Sequence, residues 1–277
     1  MKIARFKHNN KQHVGIVNEK TGTITVITKP TTIEQLIRQT PKTPSAVEKG
    51  TVLKLNQIQP QAPIAHPTKI ICLGLNYYDH AKEQNAQIPD APVIFLKPHT
   101  AITGPNQPII KPKFVKQLDY EAELAIVIGK KAKNITLNEA KRCIFGYTVL
   151  NDVSARDVQF KDKQWTRGKS FDTFAPTGPY ITTADQIGNP NNLRIRTWVN
   201  RELRQDSSTK NMVFNVYQVV HYLSQVMTLE PTDIISTGTP AGVGFAMKPK
   251  PKFLQPGDIV KMEIEGIGAL ENHVVEV

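Results

Sequence analysis

The sequence predicts a mainly β chain with short helices, in the α+β class. Three observations predict it. Short alternating or continuously apolar segments recur along the chain and read as strands. Helical periodicity is confined to a few short stretches. Those stretches do not alternate regularly with the strands, which argues against a doubly wound sheet or a β/α barrel.

The elements follow in order. KIARF, HVGIV and TITVIT alternate in strand fashion within residues 1–30, the last after a turn at Glu19–Gly22. Residues 32–39 read as a short helix and TVLKLNQI as a strand. QPQAPIAHPTK carries Pro60, Pro63 and Pro67, each of which removes a backbone donor and restrains its neighbour. This connector places a boundary near residue 66, with a small N-terminal β-domain over 1–66 and a second domain over 67–277. Strands are expected at Lys69–Gly74 and Pro92–Lys97, with a helix at Tyr77–Asn85 between them. The longest strand signal is Leu118–Gly129, LDYEAELAIVIG. A helix at Leu137–Arg142 leads into a strand at Cys143–Asn151, and 152–178 reads as loop and short helix. Further strands are expected at Pro179–Thr183, Leu193–Asn200, Asp233–Thr237, Asp258–Glu265 and Ala269–Val277. Residues 215–227 form an amphipathic helix, with Val216, Val219, Val220, Leu223, Val226 and Met227 on one stripe.

The chain has 277 residues, 39% of them hydrophobic, enough for a sizeable core. No apolar run approaches the roughly 20 residues that span a bilayer. The N-terminal residues lack the apolar stretch of a secretory signal, so the expectation is a cytoplasmic protein. Cys72 and Cys143 sit in apolar strands without metal-ligand spacing and read as buried thiols. The net charge is +11, and residues 1–66 carry ten Lys/Arg against three Asp/Glu. These basic residues are scattered and lack interleaved aromatics, so a solvated surface is expected and no nucleic-acid partner.

The chemistry-bearing residues cluster after residue 70. Side chains at i and i+2 of a strand share a face, so Glu121 and Glu123 project together, about 7 Å apart at a rise near 3.4 Å per residue. Two like charges beside the apolar LAIVIG repel and lose hydration unless a cation compensates them, as a hard divalent ion would. A half-exposed strand with both glutamates in water fits the same pattern. Asp152 ends the apolar strand CIFGYTVLN, where a loop can hand a ligand to a shared site. On a helix, His80 and Glu83 share a face at i and i+3, and such a pair can hold a water and take its proton. Taken alone, the pair fits better with the functionless His–Glu neighbours that are commonplace on helix surfaces. His221 lies mid-helix and reads as structural. In VSARDVQFKDKQWTRGKSFD, Arg156, Gln159 and Lys169 are candidate anion and carbonyl binders. Lys161 and Lys163 read as charged surface. The turn STGTPAGVG, Ser236–Gly244, offers hydroxyls and amides to a carboxylate or serves as a tight structural turn.

Taken together, GLNYYDHAKE, LDYEAELAIVIG, GYTVLNDVSARDVQ, RGKSFD and STGTPAGVG stand in the order found in the fumarylacetoacetate hydrolase family, which the chain resembles over roughly residues 68–277. The resemblance is closest to the subgroup acting on acylpyruvates and oxaloacetate. It implies a rolled, mixed β-sheet, a homodimer, and Mg²⁺ or Mn²⁺ held by Glu121, Glu123 and Asp152. It further implies a water-activating dyad of His80 and Glu83 on a lid, and Lys169 polarising the substrate's oxo groups. Gln159 and Thr239 would hold its polar ends, with Arg156 close by. The implied activity is C–C bond cleavage of a small 2-oxo acid through a metal-stabilised enolate, by acylpyruvate hydrolysis or oxaloacetate decarboxylation. An isomerase, hydrolase or lyase of the same family in aromatic or sugar-acid catabolism is the alternative. A basic, non-enzymatic binding protein stands further off.

Overall fold

The computed structural model describes residues 1–39, 47–162 and 164–277, so Lys163 lies outside the described residues. The first segment forms β1 (Lys2–His8), β2 (Lys11–Asn18), β3 (Thr23–Lys29), α1 (Ile33–Gln39), β4 (Glu48–Lys54) and β5 (Gln59–Gln61). The next forms β6 (Ile70–Gly74), α2 (Tyr78–Glu83), β7 (Val93–Lys97), β8 (Ile102–Thr103), β9 (Pro108–Lys111), β10 (Leu118–Asp119) and β11 (Ala122–Ile128). Then come α3 (Leu137–Cys143), β12 (Ile144–Asn151), β13 (Ser154–Ala155), α4 (Arg156–Gln159), α5 (Thr166–Lys169) and β14 (Ala175–Thr183). The chain closes with β15 (Arg194–Val199), β16 (Glu202–Ser208), α6 (Val216–Val226), β17 (Ile234–Ser236), β18 (Ile259–Ile264) and β19 (Gly268–Glu276).

The fold is mainly β, as the sequence predicts. The large sheet runs β4-β3-β2-β1-β14-β12-β11-β17-β6-β7, and a second sheet runs β16-β15-β18-β19-β9. Most pairs are antiparallel, but β6 with β17 and β9 with β19 are parallel, so both sheets are mixed. β11 is covered on both faces. Leu124, Ile126 and Ile128 pack in one core cluster with β15, β18 and β19, while Ala125 and Val127 pack in another. Burial on both faces explains its unbroken apolar run Leu124–Ile128.

Several expectations shift. The strands of residues 1–66, the expected small N-terminal β-domain, continue the large sheet. Lys2 and Ile3 pair with Thr182 and Ile181 of β14, and Ile3, Ile33 and Leu36 share a core cluster with Ile70 and Phe145. The proline connector itself contains β5, paired with β1. The single strand expected over 118–129 is two, because Leu118 and Asp119 pair with β13 and the ladder to β12 begins only at Ala122. The polar, unpredicted β16 is an edge strand, where alternating charge faces solvent. α6 starts at an Asn215 cap that accepts from Tyr217 N and Gln218 N. Its stripe buries Val216, Val219, Val220 and Leu223, but Val226, in the last turn, stays 53% exposed.

Among the described residues, no helix is long and apolar enough to cross a membrane. Cys72 and Cys143 are free and buried.

Candidate active site

Strand direction assembles the site. In the antiparallel pair of β11 and β12, Ala122 faces Asn151, so the start of β11 meets the end of β12. β17 runs antiparallel to β11 and ends at Ser236, and β6 runs parallel to β17. The C-terminal ends of β6, β12 and β17 and the N-terminal end of β11 therefore converge. Loops leaving these ends carry the candidate residues.

Carboxylate oxygens of Glu121, Glu123 and Asp152 lie within 4.8 Å of one another, and all three residues are buried. Burial rules out the half-exposed strand with water-facing glutamates. Glu123 Oε2 accepts from Ser236 Oγ (2.5 Å) and Gly238 N (2.8 Å), while its Oε1 has no partner. Burial, then repulsion from Asp152 and Glu121, pushes the Glu123 carboxyl well above the ordinary range. Glu121 is the opposite case. Burial opposes its ionisation, but Lys169 and Arg156 hold its carboxyl well below the usual range. Lys169 Nζ lies 2.7 Å from both Glu121 Oε2 and Asp152 Oδ2. Arg156 Nη2 lies 2.6 Å from Glu121 Oε1. Burial works against the charge on Lys169 too, and the two carboxylates more than offset it.

Three carboxylates in one buried cluster, one with an unpaired oxygen, form an oxygen donor set that suits a hard divalent ion. The residues present fit a divalent ion, which Glu121, Glu123 and Asp152 could hold between them.

The dyad stands beside this cluster on α2. His80 Nδ1 is 2.6 Å from Glu83 Oε1, and since a carboxylate only accepts, Nδ1 carries the proton. Glu83 Oε2 accepts from Gly242 N (2.8 Å), which ties the dyad to the Ser236–Gly244 turn. His80 Nε2 is left with its lone pair and accepts from Gln84 Nε2 at 2.7 Å. Gly242 has φ +102, and a Cβ there would sit 2.0 Å from Arg204 O, so this turn requires glycine.

A pocket of about 100 Å³ is lined by His80, Gln84, Glu121, Arg156, Gln159, Lys169, Thr239 and the rings of Phe160, Trp165 and Phe245. Of the nine residues singled out in the sequence, six line the pocket, Glu83 and Asp152 bond to its wall through His80 and Lys169, and Glu123 lies behind the wall within 4.8 Å of Glu121. Arg156 donates through Nη1 to Gln159 Oε1 (2.9 Å) and stacks 4.5 Å over the Phe245 ring. Lys161 is exposed and outside the site.

Sequence reasoning missed four contributors. Lys97 is wholly buried and bonds Asp152 Oδ1 and, at 3.2 Å, the Val153 carbonyl. Its only signal was a lysine closing the apolar VIFLK. Asp119, also buried, accepts from Tyr120 N, Gly244 N, Phe245 N and Arg156 Nε. It fixes Arg156 against the 236–245 turn, and a Cβ on Gly244 would stand 2.5 Å from Asp119 Oδ1. Gln84 and Gln205 carried no signal at all. Leu75, in the pocket wall, has φ +54, a strained value for a bulky residue and one found at functional sites.

Comparison with known proteins places this geometry. Residues 69–275 match the model of the fumarylacetoacetate (FAA) hydrolase C-terminal domain. The chain belongs to the fumarylacetoacetate hydrolase family. Within that family it is 41% identical to the mitochondrial oxaloacetate tautomerase Fahd2a of Rattus norvegicus, over 99% of this chain and 92% of that protein. The solved fumarylacetoacetate hydrolase of Exiguobacterium antarcticum covers this chain and itself completely, at 38% identity and a TM-score of 0.88. Maleylpyruvate hydrolase from Sphingobium sp. SYK-6, solved with manganese(II) and pyruvate, matches 100% of this chain and 99% of its own at 31% identity and a TM-score of 0.82. The family relationship makes this chain an enzyme, and the manganese-bound relative agrees with a divalent ion at the acidic cluster.

Proposed function

We propose that the chain interconverts the keto and enol forms of a small 2-oxo diacid of the oxaloacetate type, with Mg²⁺ or Mn²⁺ bound. The observation that carries this reading is a single pocket that joins the Glu121–Glu123–Asp152 cluster to a polarised histidine. The named oxaloacetate tautomerase, similar over nearly the whole chain, supports the choice of substrate.

Glu121, Glu123 and Asp152 would hold the ion, which would supply Lewis acidity toward the keto oxygen. The protein's own groups do the rest. Arg156 and Lys169 place positive charge in the pocket wall for an acid with two carboxylates. His80 Nε2, freed from Gln84, takes the proton from the carbon next to the keto group. Glu83 steadies the resulting imidazolium through Nδ1. The same proton is returned to the oxygen, so the step is balanced and the histidine regenerated. Phe160, Trp165 and Phe245 limit water at the pocket.

C–C cleavage, expected from the sequence, is the second reading. The dyad that takes a carbon proton also takes one from water, and the solved maleylpyruvate hydrolase with pyruvate favours it. Cytoplasmic location and a homodimer remain part of the proposal.

The test follows enol absorbance of oxaloacetate with Mn²⁺ or Mg²⁺, beside pyruvate release from oxaloacetate and from acetylpyruvate, with an EDTA control. Metal-dependent tautomerisation faster than pyruvate release supports the first reading. Pyruvate release without accelerated tautomerisation selects the second, and no metal-dependent change in any assay refutes both.

A further inference from the structure

Gln205 lies on β16, the outer strand of the second sheet, yet it is fully buried. Its amide uses every hydrogen-bonding position it has. Oε1 accepts from Ala122 N (3.1 Å) and Thr197 Oγ1 (2.7 Å). Nε2 donates to Thr239 Oγ1 (2.8 Å) and Pro240 O (2.9 Å). The orientation is forced, because the flipped amide would set NH₂ against the Ala122 N–H and oxygen against the Pro240 carbonyl. One side chain therefore ties the backbone between Glu121 and Glu123 to the pocket residue Thr239.

The consequence lies in the hydroxyl. Thr239 Oγ1 receives a proton from Gln205, so its own proton must point away from Gln205, and Thr239 lines the pocket. We propose that Gln205 is a positioning residue that fixes Thr239 as a hydrogen-bond donor to an anionic oxygen of the bound acid. This rests on the reading of the pocket as a 2-oxo acid site. It adds a specificity rule: the Thr239 end of the pocket takes a carboxylate or carbonyl oxygen and rejects a group that can only donate.

Gln205→Glu tests it with minimal change of shape. The acceptor toward Ala122 and Thr197 is kept. The replaced donor is now oxygen, which, ionised or not, cannot donate to both Thr239 and Pro240. The Thr239 proton is then drawn toward residue 205 and away from the pocket. The measurement is calorimetric affinity of the Mn²⁺-loaded protein for oxalate, in wild type, Gln205→Glu, Thr239→Val and the double variant, with Mn²⁺ affinity measured separately.

Each single variant is expected to bind oxalate about tenfold more weakly, the size of one hydrogen bond to a charged group. The double variant should bind no more weakly than Thr239→Val, with Mn²⁺ affinity unchanged throughout. Wild-type oxalate affinity in Gln205→Glu, or losses that multiply in the double variant, would overturn the proposal. So would a parallel loss of Mn²⁺ affinity, which would place the effect at Ala122. Gln205→Met, which removes the hydrogen bonds at similar length, repeats the measurement should Gln205→Glu not fold. Failure of both to fold would make Gln205 a residue of the fold alone and also overturn it. If wild type itself binds no oxalate, the functional reading fails first, and the two failures are thereby distinguished.

Discussion

Replacing Glu123 by glutamine should stabilise the metal-free protein while abolishing its response to metal. Glu123 Oε2 keeps two donors, Ser236 and Gly238, and the glutamine oxygen can keep both. Oε1 has no partner, and the new NH₂ at that place would face the carboxylates of Glu121 and Asp152. Two unit charges 4.8 Å apart at an effective dielectric near 20 repel by about 3.5 kcal/mol. Lys169 offsets part of the combined repulsion from two neighbours, so a gain of about 3 kcal/mol is expected. For a chain of 277 residues that corresponds to about 5 °C in Tm. The sign depends on pH. The folded-state pKa of Glu123 is raised, so protonation favours the fold at low pH and that advantage is lost as pH rises through the folded value. The metal-free wild type should therefore fall behind Glu123→Gln as the buffer is taken from pH 5 to pH 8. The assay is calorimetric melting of both proteins in EDTA and in Mn²⁺. A metal-free variant less stable than wild type at pH 8, or one whose Tm still rises with Mn²⁺, would refute the reasoning.

Other outcomes follow from the same geometry. His80→Ala should lower kcat about 10²–10⁴-fold, the usual weight of a general acid–base group, with Mn²⁺ affinity by calorimetry unchanged; a joint loss would tie His80 to the metal instead. Lys97→Met leaves Asp152 Oδ1 without its buried cation, so the metal-free protein should lose about 3 kcal/mol in denaturant unfolding. Its Tm should then rise more on adding Mn²⁺ than that of wild type, and an equal rise would count against the pairing. Asp119→Asn puts NH₂ against two backbone N–H groups or Arg156, so Tm should fall and KM should rise as Arg156 loosens; unchanged KM would show that Arg156 needs no buttress. Light scattering should give twice the 30.9 kDa of one chain, and a monomer at assay concentration would remove the homodimer from the reading.

Much of the site was legible because its residues carry their own contradiction. Glu121 and Glu123 stand at the mouth of LAIVIG, and charge beside a strand buried on both faces needs a stated compensation. The His80–Glu83 spacing works on α2 because i and i+3 share a helix face whatever the helix packs against. The Asn215 cap and the stripe of α6 are likewise local, and they needed only the helical period to be read.

Local sequence was enough for the type of most elements and for the chemistry of the groups standing at their ends. The tertiary structure alone decided which of those ends meet. Lys97 and Asp152 are 55 residues apart, and Gln205 reaches Ala122 across 83. No local period records such pairings. They exist because the roll of the sheets buries these polar groups, and a buried polar group must find its partner wherever the fold has brought one. The break at Tyr120–Glu121 has the same origin: Asp119 is held by the distant Arg156, Gly244 and Phe245, and that anchor turns the chain before β11 begins.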